Sequence, residues 1–113
     1  MSGKFELFKS PKNNQFYFHL QASNGEIILQ SEGYTTKSNC LNGIRAVKKN
    51  ASLERAYVVQ PKHFNLKSVD NGKIIASSEK YSTNSARDAG IASVKAHAIT
   101  SDIVDLTKLK NKN

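Results

Sequence analysis

Residues 24–34 read Asn-Gly-Glu-Ile-Ile-Leu-Gln-Ser-Glu-Gly-Tyr, and residues 71–81 read Asn-Gly-Lys-Ile-Ile-Ala-Ser-Ser-Glu-Lys-Tyr. The same offset of 47 positions continues past the tyrosines, where it pairs Gly43-Ile44 with Gly90-Ile91. About half of the roughly thirty positions in and around each block are identical in the other copy, which indicates a tandem duplication. The chain is therefore predicted to fold as two copies of one unit.

The length and composition predict a small cytoplasmic protein. At 113 residues the chain has the size of a single domain, 1–113, with repeat one at about 4–51 and repeat two at about 55–98. Residues 99–113 are expected to form a C-terminal tail that is partly disordered. Cys40 is the only cysteine, so no disulfide can form within the chain and a reducing compartment is expected. The sequence offers neither a signal peptide nor an apolar run of membrane-spanning length.

The first copy is predicted to contain three strands followed by a helix. Alternating apolar and polar side chains predict strands over residues 4–9, 15–22 and 26–32. Asn24-Gly25 lies between the second and third of these strands. This dipeptide predicts a type I′ hairpin, because both central residues of that turn need positive φ.

Each copy is predicted to end in a helix with a glycine inside it. In the first copy, near-helical spacing of apolar residues predicts a helix that Thr36 or Ser38 caps and that ends near residue 50. The second helix is predicted over about residues 84–97. A glycine inside a helix costs about 1 kcal/mol relative to alanine. Gly43 and Gly90 therefore predict a close approach of each helix to the sheet or to its partner helix.

The second copy repeats the pattern with one extra residue. Its first two strands are predicted over 56–60 and 64–68, and Val69-Asp70 adds a residue before the next hairpin. We expect a bulge or a longer loop there. In the tail, the offset predicts a short strand over 103–107 at an edge of the sheet, and the alternative is a short helix capped by Ser101.

The motif blocks resemble the YegP-like family, which comprises small bacterial proteins of unknown function. The blocks are Phe-x-Leu-x-Ala, then Asn-Gly-x-Ile-Ile-x-x-Ser-Glu-x-Tyr, then Gly-Ile-x-x-Val-Lys, and they extend nearly to Ala98. The matching residues are Phe18, Leu20, Ala22, Asn24, Gly25, Ile28, Ser31, Glu32, Tyr34, Gly43, Ile44, Val47 and Lys48, with Phe64, Leu66, Asn71, Gly72, Ile75, Ser78, Glu79, Tyr81, Arg87, Gly90, Ile91, Val94 and Lys95 in the second copy.

The resemblance implies an α+β fold. It consists of two tandem β-β-β-α modules related by a pseudo-two-fold axis, with an antiparallel sheet packed against two helices. Relatives with a single module are expected to dimerise to the same shape. The family brings no established catalytic residues.

Two polar pairs, Ser31-Glu32 and Ser78-Glu79, precede the predicted helices in both copies. In one interpretation the carboxylates accept hydrogen bonds from free helix N–H groups or from the opposite module. In the other, the two carboxylates flank a cleft for acid–base chemistry. No nucleophile or oxyanion motif accompanies them, so the structural role is favoured.

No metal, cofactor or catalytic site is predicted. His19, His63 and His97 have no spacing with Cys40 or with carboxylates that would form a metal site. Cys40 lies in the first turns of the first helix, where the helix dipole could make it reactive. Burial as a small core residue is favoured instead, because Arg87 stands at the matching position of the second copy.

The net charge of +8 has two interpretations. Lysines spread over the surface keep a small domain soluble, whereas a clustered basic face attracts nucleic acid. Only Arg45, Lys48 and Lys49 concentrate, on the first predicted helix. Tyr34 and Tyr81 are expected to anchor the corners before the helices. A base-stacking surface would have to be formed by exposed strand residues, namely Tyr17, His19, Asn65 and Lys67.

The sequence therefore favours a non-catalytic interaction or accessory module over an enzyme. An unknown protein partner is expected, no membrane association is expected, and weak sequence-independent nucleic-acid binding is the alternative function. Because the duplication supplies within one chain the interface that a single module would need from another, the protein is predicted to be a monomer.

Overall fold

A computed structural model describes residues 3–107, which form a mixed α+β fold with one sheet and two helices. The predicted elements occur in the predicted order, and their ends differ from the predicted ends by two residues at most. The strands are β1 Lys4–Lys9, β2 Phe16–Gln21, β3 Ile27–Ser31, β4 Tyr57–Gln60, β5 His63–Lys67, β6 Ile74–Ser77 and β7 Asp102–Asp105. The helices are α1 Lys37–Asn50 and α2 Asn84–His97, and a short 3₁₀ turn, Glu54–Ala56, precedes β4.

The two copies contribute to one continuous sheet. Its seven strands have the order β4-β5-β6-β3-β2-β1-β7. The copies meet at β3 and β6, which pair antiparallel with Gln30 opposite Ser77 and Ser31 opposite Ala76. The third strand of each copy therefore lies in the centre of the sheet, and the first strand of each copy lies towards an edge.

The prediction of an antiparallel sheet is wrong for one pair of strands. β7 lies parallel to β1, with Lys4 opposite Asp102 and Leu7 opposite Asp105. The other strand pairs are antiparallel. The parallel pair arises because α2 carries the chain from β6 back across the sheet, so that β7 enters the far edge in the direction of β1.

The last described segment is a strand and not a helix. Ser101 is buried, and its hydroxyl donates a hydrogen bond to the carbonyl of His97 at 2.6 Å. Ser101 therefore closes the end of α2 and does not cap a new helix. The disorder predicted for the end of the tail falls on residues 108–113, which lie outside the described residues.

Both Asn-Gly hairpins differ from the predicted type I′ turn. Gly25 and Gly72 have φ values of +90° and +75°, but the asparagine before each glycine does not have positive φ. Asn24 Oδ1 instead accepts a hydrogen bond from the N–H of Glu26 at 3.0 Å, and Asn71 makes the same bond in the second copy. The asparagine side chain thus holds the turn, and glycine alone needs the left-handed conformation.

The extra residue of the second copy is accommodated in this loop. The first hairpin closes with the N–H of Ala22 bonded to the carbonyl of Glu26, and the second with the N–H of Ser68 bonded to the carbonyl of Lys73. The second loop is therefore one residue longer, as predicted. A register shift in the ladder occurs beside both hairpins, so the irregularity is not specific to the second copy.

Both helices pack against the same apolar core, which leaves the other face of the sheet uncovered. The largest fully buried apolar side chains come from both copies: Phe5, Leu7, Phe18, Leu20, Leu29, Ile44, Val47, Phe64, Leu66 and Val94. No helix between residues 3 and 107 has the length and apolar content needed to cross a membrane.

A close approach occurs at both helix glycines, but the nearest group is the tyrosine ring of the corner before the helix and not, as predicted, the sheet or the partner helix. A β-carbon at Gly43 would lie 2.9 Å from Cζ of Tyr34, and one at Gly90 would lie 2.7 Å from Cζ of Tyr81. Real β-carbons essentially never come that close to another heavy atom. Each ring stacks in turn on a buried phenylalanine of the sheet, so the glycine, the tyrosine and the sheet form one packed unit in both copies.

Candidate functional site

The serines of the two polar pairs hold the sheet to the corner that follows it. Ser31 Oγ accepts a hydrogen bond from the N–H of Phe18 at 2.9 Å and donates one to the carbonyl of Glu32 at 2.8 Å. Ser78 Oγ bonds in the same way to the N–H of Phe64 at 3.0 Å and to its neighbour's carbonyl at 2.8 Å. The hydroxyls therefore satisfy backbone groups where strand pairing ends.

The carboxylates of Glu32 and Glu79 are exposed, and the structure gives them neither of the two predicted roles. Within residues 3–107 they form no hydrogen bond or ion pair with a side chain or helix N–H group. The N-terminal N–H groups of α1 and α2 are capped by Thr36 and Thr83, whose hydroxyls accept bonds of 3.1 and 3.0 Å. A depression of about 240 Å³ lies beside Glu32, with Lys73 also in its wall, and Glu79 does not line it. The structure therefore does not bring the two carboxylates together.

Replacing Ser31 by alanine should lower the free energy of unfolding by about 1 kcal/mol, because the half-buried N–H of Phe18 loses its acceptor. Ser78→Ala should have a similar effect through Phe64. Glu32→Gln and Glu79→Gln are the matched controls and should leave stability within about 0.5 kcal/mol, as expected at exposed positions. Urea unfolding followed by circular dichroism measures all four variants. A larger loss in the glutamate variants than in the serine variants would contradict these assignments.

The three residues of α1 that were predicted to form a basic surface do not form a common free surface. Lys48 donates to the carbonyl of Ser101 at 2.8 Å and lies over the ring of Phe5, 5.7 Å from its centroid. Lys49 pairs with Asp70 at 2.9 Å. Arg45 donates to the side chain of Asn42 at 2.8 Å, on its own helix. The side chains predicted for nucleic-acid binding are thus engaged within the chain.

Cys40 is fully buried in the core. Burial raises the pKa of its thiol to about 11, and the charge of Asp105 acts in the same direction. The thiol is therefore protonated at neutral pH, and the favoured interpretation of Cys40 as a core residue agrees with its position.

This burial predicts that the thiol is protected as long as the protein is folded. At pH 8, iodoacetamide should alkylate Cys40 of the folded protein at least about a hundredfold more slowly than Cys40 of the protein unfolded in 8 M urea. The thiolate is the reacting species, and the raised pKa of the folded protein keeps its fraction small. Mass spectrometry of timed samples measures both rates. Equal rates in the native and unfolded protein would refute this placement.

The three histidines have separate surroundings. His19 Nε2 lies 2.6 Å from Glu6 Oε1, and this hydrogen bond lowers the pKa of the Glu6 carboxyl against the opposing effect of burial. His63 contacts the carbonyl of Pro61, and His97 contacts Ser93 one turn back on α2. Residues 3–107 contain no cluster of histidine, cysteine and carboxylate side chains that could hold a metal ion.

A row of mostly polar side chains crosses the uncovered face of the sheet. Residues that lie opposite each other on paired strands share a face, and so the strand register defines the row. It runs through Glu6, His19, Gln30, Ser77, Asn65 and Val58. Tyr17, which the sequence analysis placed with His19 and Asn65 among the exposed strand residues, lies on this face beside His19.

Phe8, Tyr17 and His19 form an aromatic cluster on this face. The rings of Phe8 and Tyr17 stack with centroids 5.9 Å apart and an angle of 18° between their planes. The ring of His19 lies 5.2 Å from that of Phe8. All three are half-buried. Phe8 was not predicted as a surface residue. The alternation along β1, which buries Phe5 and Leu7, places Phe8 on the uncovered face. Only the pairing of Phe8 with Tyr17 reveals the cluster.

A groove of about 740 Å³ adjoins the cluster. Phe8 and Phe16 supply aromatic walls, and Lys37 and Leu106 also line it. The ammonium group of Lys37 pairs with Asp105 at 2.9 Å.

The sequence matches, over residues 12–57 and again over 62–105, the family described as "Domain of unknown function (DUF1508)". A UPF0339 protein of Shewanella oneidensis is 47% identical over 75 residues, which cover 62% of this chain and 67% of the relative. The UPF0339 protein YegP of Escherichia coli is 45% identical over 75 residues with the same coverage. A UPF0339 protein of Stutzerimonas stutzeri is 53% identical over 57 residues, and this match spans half the length of that relative.

Solved structures show the same fold. The solution NMR structure of a UPF0339 protein from Shewanella oneidensis superimposes with a TM-score of 0.87 at 47% identity and covers 94% of this chain and 92% of that one. The solution NMR structure of Escherichia coli yegP, described as a protein of unknown function, gives 0.86 at 44% identity and covers 94% of both chains. The resemblance to the YegP-like family is confirmed. The chain belongs to the DUF1508 family and carries the family's domain twice, in tandem.

Proposed function

We propose that this protein is a non-catalytic interaction module that binds a protein partner through the uncovered face of its sheet. The observation that carries the proposal is the aromatic cluster of Phe8, Tyr17 and His19 on the face that the helices leave free. Aromatic side chains are enriched at the centres of protein interfaces, where they contribute more than the modest stabilisation that a cross-strand aromatic pair gives a sheet.

The second copy supports this assignment by its differences. The strand register places Gln60 opposite His63, just as it places Phe8 opposite Tyr17. Asn65 takes the place of His19 in the same way, opposite Val58. The core positions on the same strands hold identical side chains, Phe18 with Phe64 and Leu20 with Leu66, whereas these surface positions do not. The cluster is therefore not required by the fold of the repeat.

The repeated polar residues favour binding over catalysis. The hydroxyls of Ser31 and Ser78 are engaged with backbone groups, and the exposed carboxylates of Glu32 and Glu79 do not share a cleft. General acid–base chemistry needs positioned groups around one reacting atom. The polar groups that both copies share have no such arrangement within residues 3–107.

The architecture that supports this module is a pair of copies related by a pseudo-two-fold axis between β3 and β6. The strand order reads outwards from this pair as β3-β2-β1 on one side and β6-β5-β4 on the other. Lys48 of α1 lies over the ring of Phe5, and Lys95 of α2 lies over the ring of Tyr57. Because each copy pairs with the other through β3 and β6, we infer a monomer. The free and buried thiol of Cys40 supports a reducing, cytoplasmic location. Light scattering that shows a stable dimer would contradict the monomer.

The test is capture of partners from the native cell extract with two immobilised variants. Tyr17→Ser should reduce a specifically captured protein at least about tenfold, because the loss of a central aromatic anchor often costs 2 kcal/mol or more. His63→Ser, at the corresponding place in the second copy, is the matched control and should capture as the unsubstituted protein does. Equal capture by both variants, or capture that nuclease treatment of the extract abolishes, would refute the proposal.

A further inference from the structure

β1 and β4 take corresponding places in the two copies, but only β1 has a neighbour on its outer side. Leu7 of β1 lies opposite Phe18, and Val59 of β4 lies opposite Phe64. β7 covers the outer edge of β1, whereas β4 ends the sheet. Leu7 is 0% exposed and Val59 is 50% exposed. No described strand therefore lies beside β4 where β7 lies beside β1.

The backbone of Val59 is directed towards this open edge. The N–H of Phe64 bonds to Ser78 Oγ and its carbonyl to the N–H of Ser78, both on the side of β6. In an antiparallel ladder, a residue opposite such a position turns its own N–H and carbonyl away from the partner strand. At the corresponding place in the first copy, the carbonyl of Leu7 accepts a hydrogen bond from the N–H of Leu106 at 2.9 Å. Within residues 3–107, Val59 has no such partner on its outer side.

The charges around β4 indicate which strand would fit. β7 places Asp105 opposite Leu7, where it pairs with Lys37 of α1 at 2.9 Å. The residue 47 positions after Lys37 is Asn84, and Arg87 Nη1 donates both to its side chain and to the carbonyl of Gln60 at the end of β4, at 3.4 and 2.9 Å. Arg87 Nη2 pairs with the exposed Asp88 at 2.8 Å. A carboxylate of a strand beside Val59 would therefore lie near Asn84 and Arg87, where it would compete with Asp88 for the guanidinium group.

We propose that the outer edge of β4 binds an extended peptide segment of another protein, parallel to β4, with a carboxylate at the position opposite Val59. The pairing of β7 with β1 is the template for this arrangement, and addition of a strand to an open sheet edge is a common mode of peptide recognition. Residues 108–113 are less suited to this place, because they carry three lysines and no acidic residue. A basic segment would be repelled by Arg87, with Arg55 and Lys62 nearby on either side of β4.

The probe is a fluorescent peptide with the sequence of residues 101–107, Ser-Asp-Ile-Val-Asp-Leu-Thr. We expect it to bind saturably and to shift the amide NMR signals of Val59 and its neighbours on β4. Arg87→Glu should weaken binding at least about tenfold by removing the charge-assisted contact and adding repulsion. Val59→Pro should abolish binding because proline has no N–H, and Val59→Thr should bind within about twofold of the original protein because it keeps that donor.

Thermal melting checks that the Val59→Pro protein is folded, and Arg87→Glu tests the same site without altering the strand backbone. Three results would overturn the proposal. The first is no binding at millimolar peptide. The second is a set of shifts confined to β1, which would mean that the peptide displaces β7. The third is a peptide-free dimer that Val59→Pro disrupts, which would assign this edge to a second copy of the chain.

Discussion

Phe64→Ala should lower the free energy of unfolding by about 3–5 kcal/mol, the range for a fully buried phenylalanine. The ring of Phe64 is 0% exposed and lies between two tyrosines. Its centroid is 5.9 Å from that of Tyr57 and 6.4 Å from that of Tyr81, and it stacks almost parallel to Tyr81. Truncation removes both aromatic contacts and leaves a cavity beside α2.

Phe18→Ala is the counterpart in the first copy and should cost a similar amount, since Phe18 contacts Phe5 and Tyr34 in the same way. Urea unfolding should show one transition in both variants, because the copies share a core and a sheet. Tyr17→Ser, on the uncovered face, is the control and should cost less than about 1 kcal/mol. Two separate transitions, or a loss below that of the control, would contradict this description of the core.

Gly90→Val should destabilise the protein by about 3 kcal/mol, at the upper end for overpacking a filled site. A β-carbon at this position would lie 2.7 Å from Cζ of Tyr81, and valine adds two further methyl groups. The ring cannot easily move, because it stacks on Phe64 at the sheet.

Two controls separate this steric effect from helix propensity. Ala92→Val places the same side chain at an exposed position of α2 and should cost less than about 1 kcal/mol. In a Tyr81→Ala background, the additional cost of Gly90→Val should fall by at least about half, because the opposing ring is absent. An unchanged cost in that background would show that Tyr81 is not the cause.

The internal repeat made most of the fold predictable. Thr36 and Thr83 at the helix starts, and the glycine inside each helix, depend on local rules that apply to each copy separately. The parallel placement of β7 was not predictable in this way, because it depends on where α2 delivers the chain relative to β1. The predicted type I′ turn was wrong because the side chain of Asn24 bonds to the backbone of Glu26. An Asn-Gly dipeptide in the sequence does not reveal this hydrogen bond.

The candidate site was less predictable than the fold. Ser31-Glu32 was a candidate site because both copies contain this pair. In the structure, the hydroxyl of Ser31 accepts a hydrogen bond from the backbone of β2. The aromatic cluster depends on the register that brings Phe8 opposite Tyr17, and that register is set by the turn between β1 and β2. A search for repeats does not detect residues that occur in only one copy. These residues nevertheless determine how the surfaces of the two halves differ.

The central claim is that the two copies form a single cooperative unit joined by β3 and β6. Native-state amide hydrogen exchange in low urea tests it, with β2 reporting on the first copy and β5 on the second. We predict that the slowest amides of both strands open with the same free energy, that of global unfolding. A difference of more than about 2 kcal/mol between the slowest amides of the two strands would show that the halves unfold independently, and would contradict the claim.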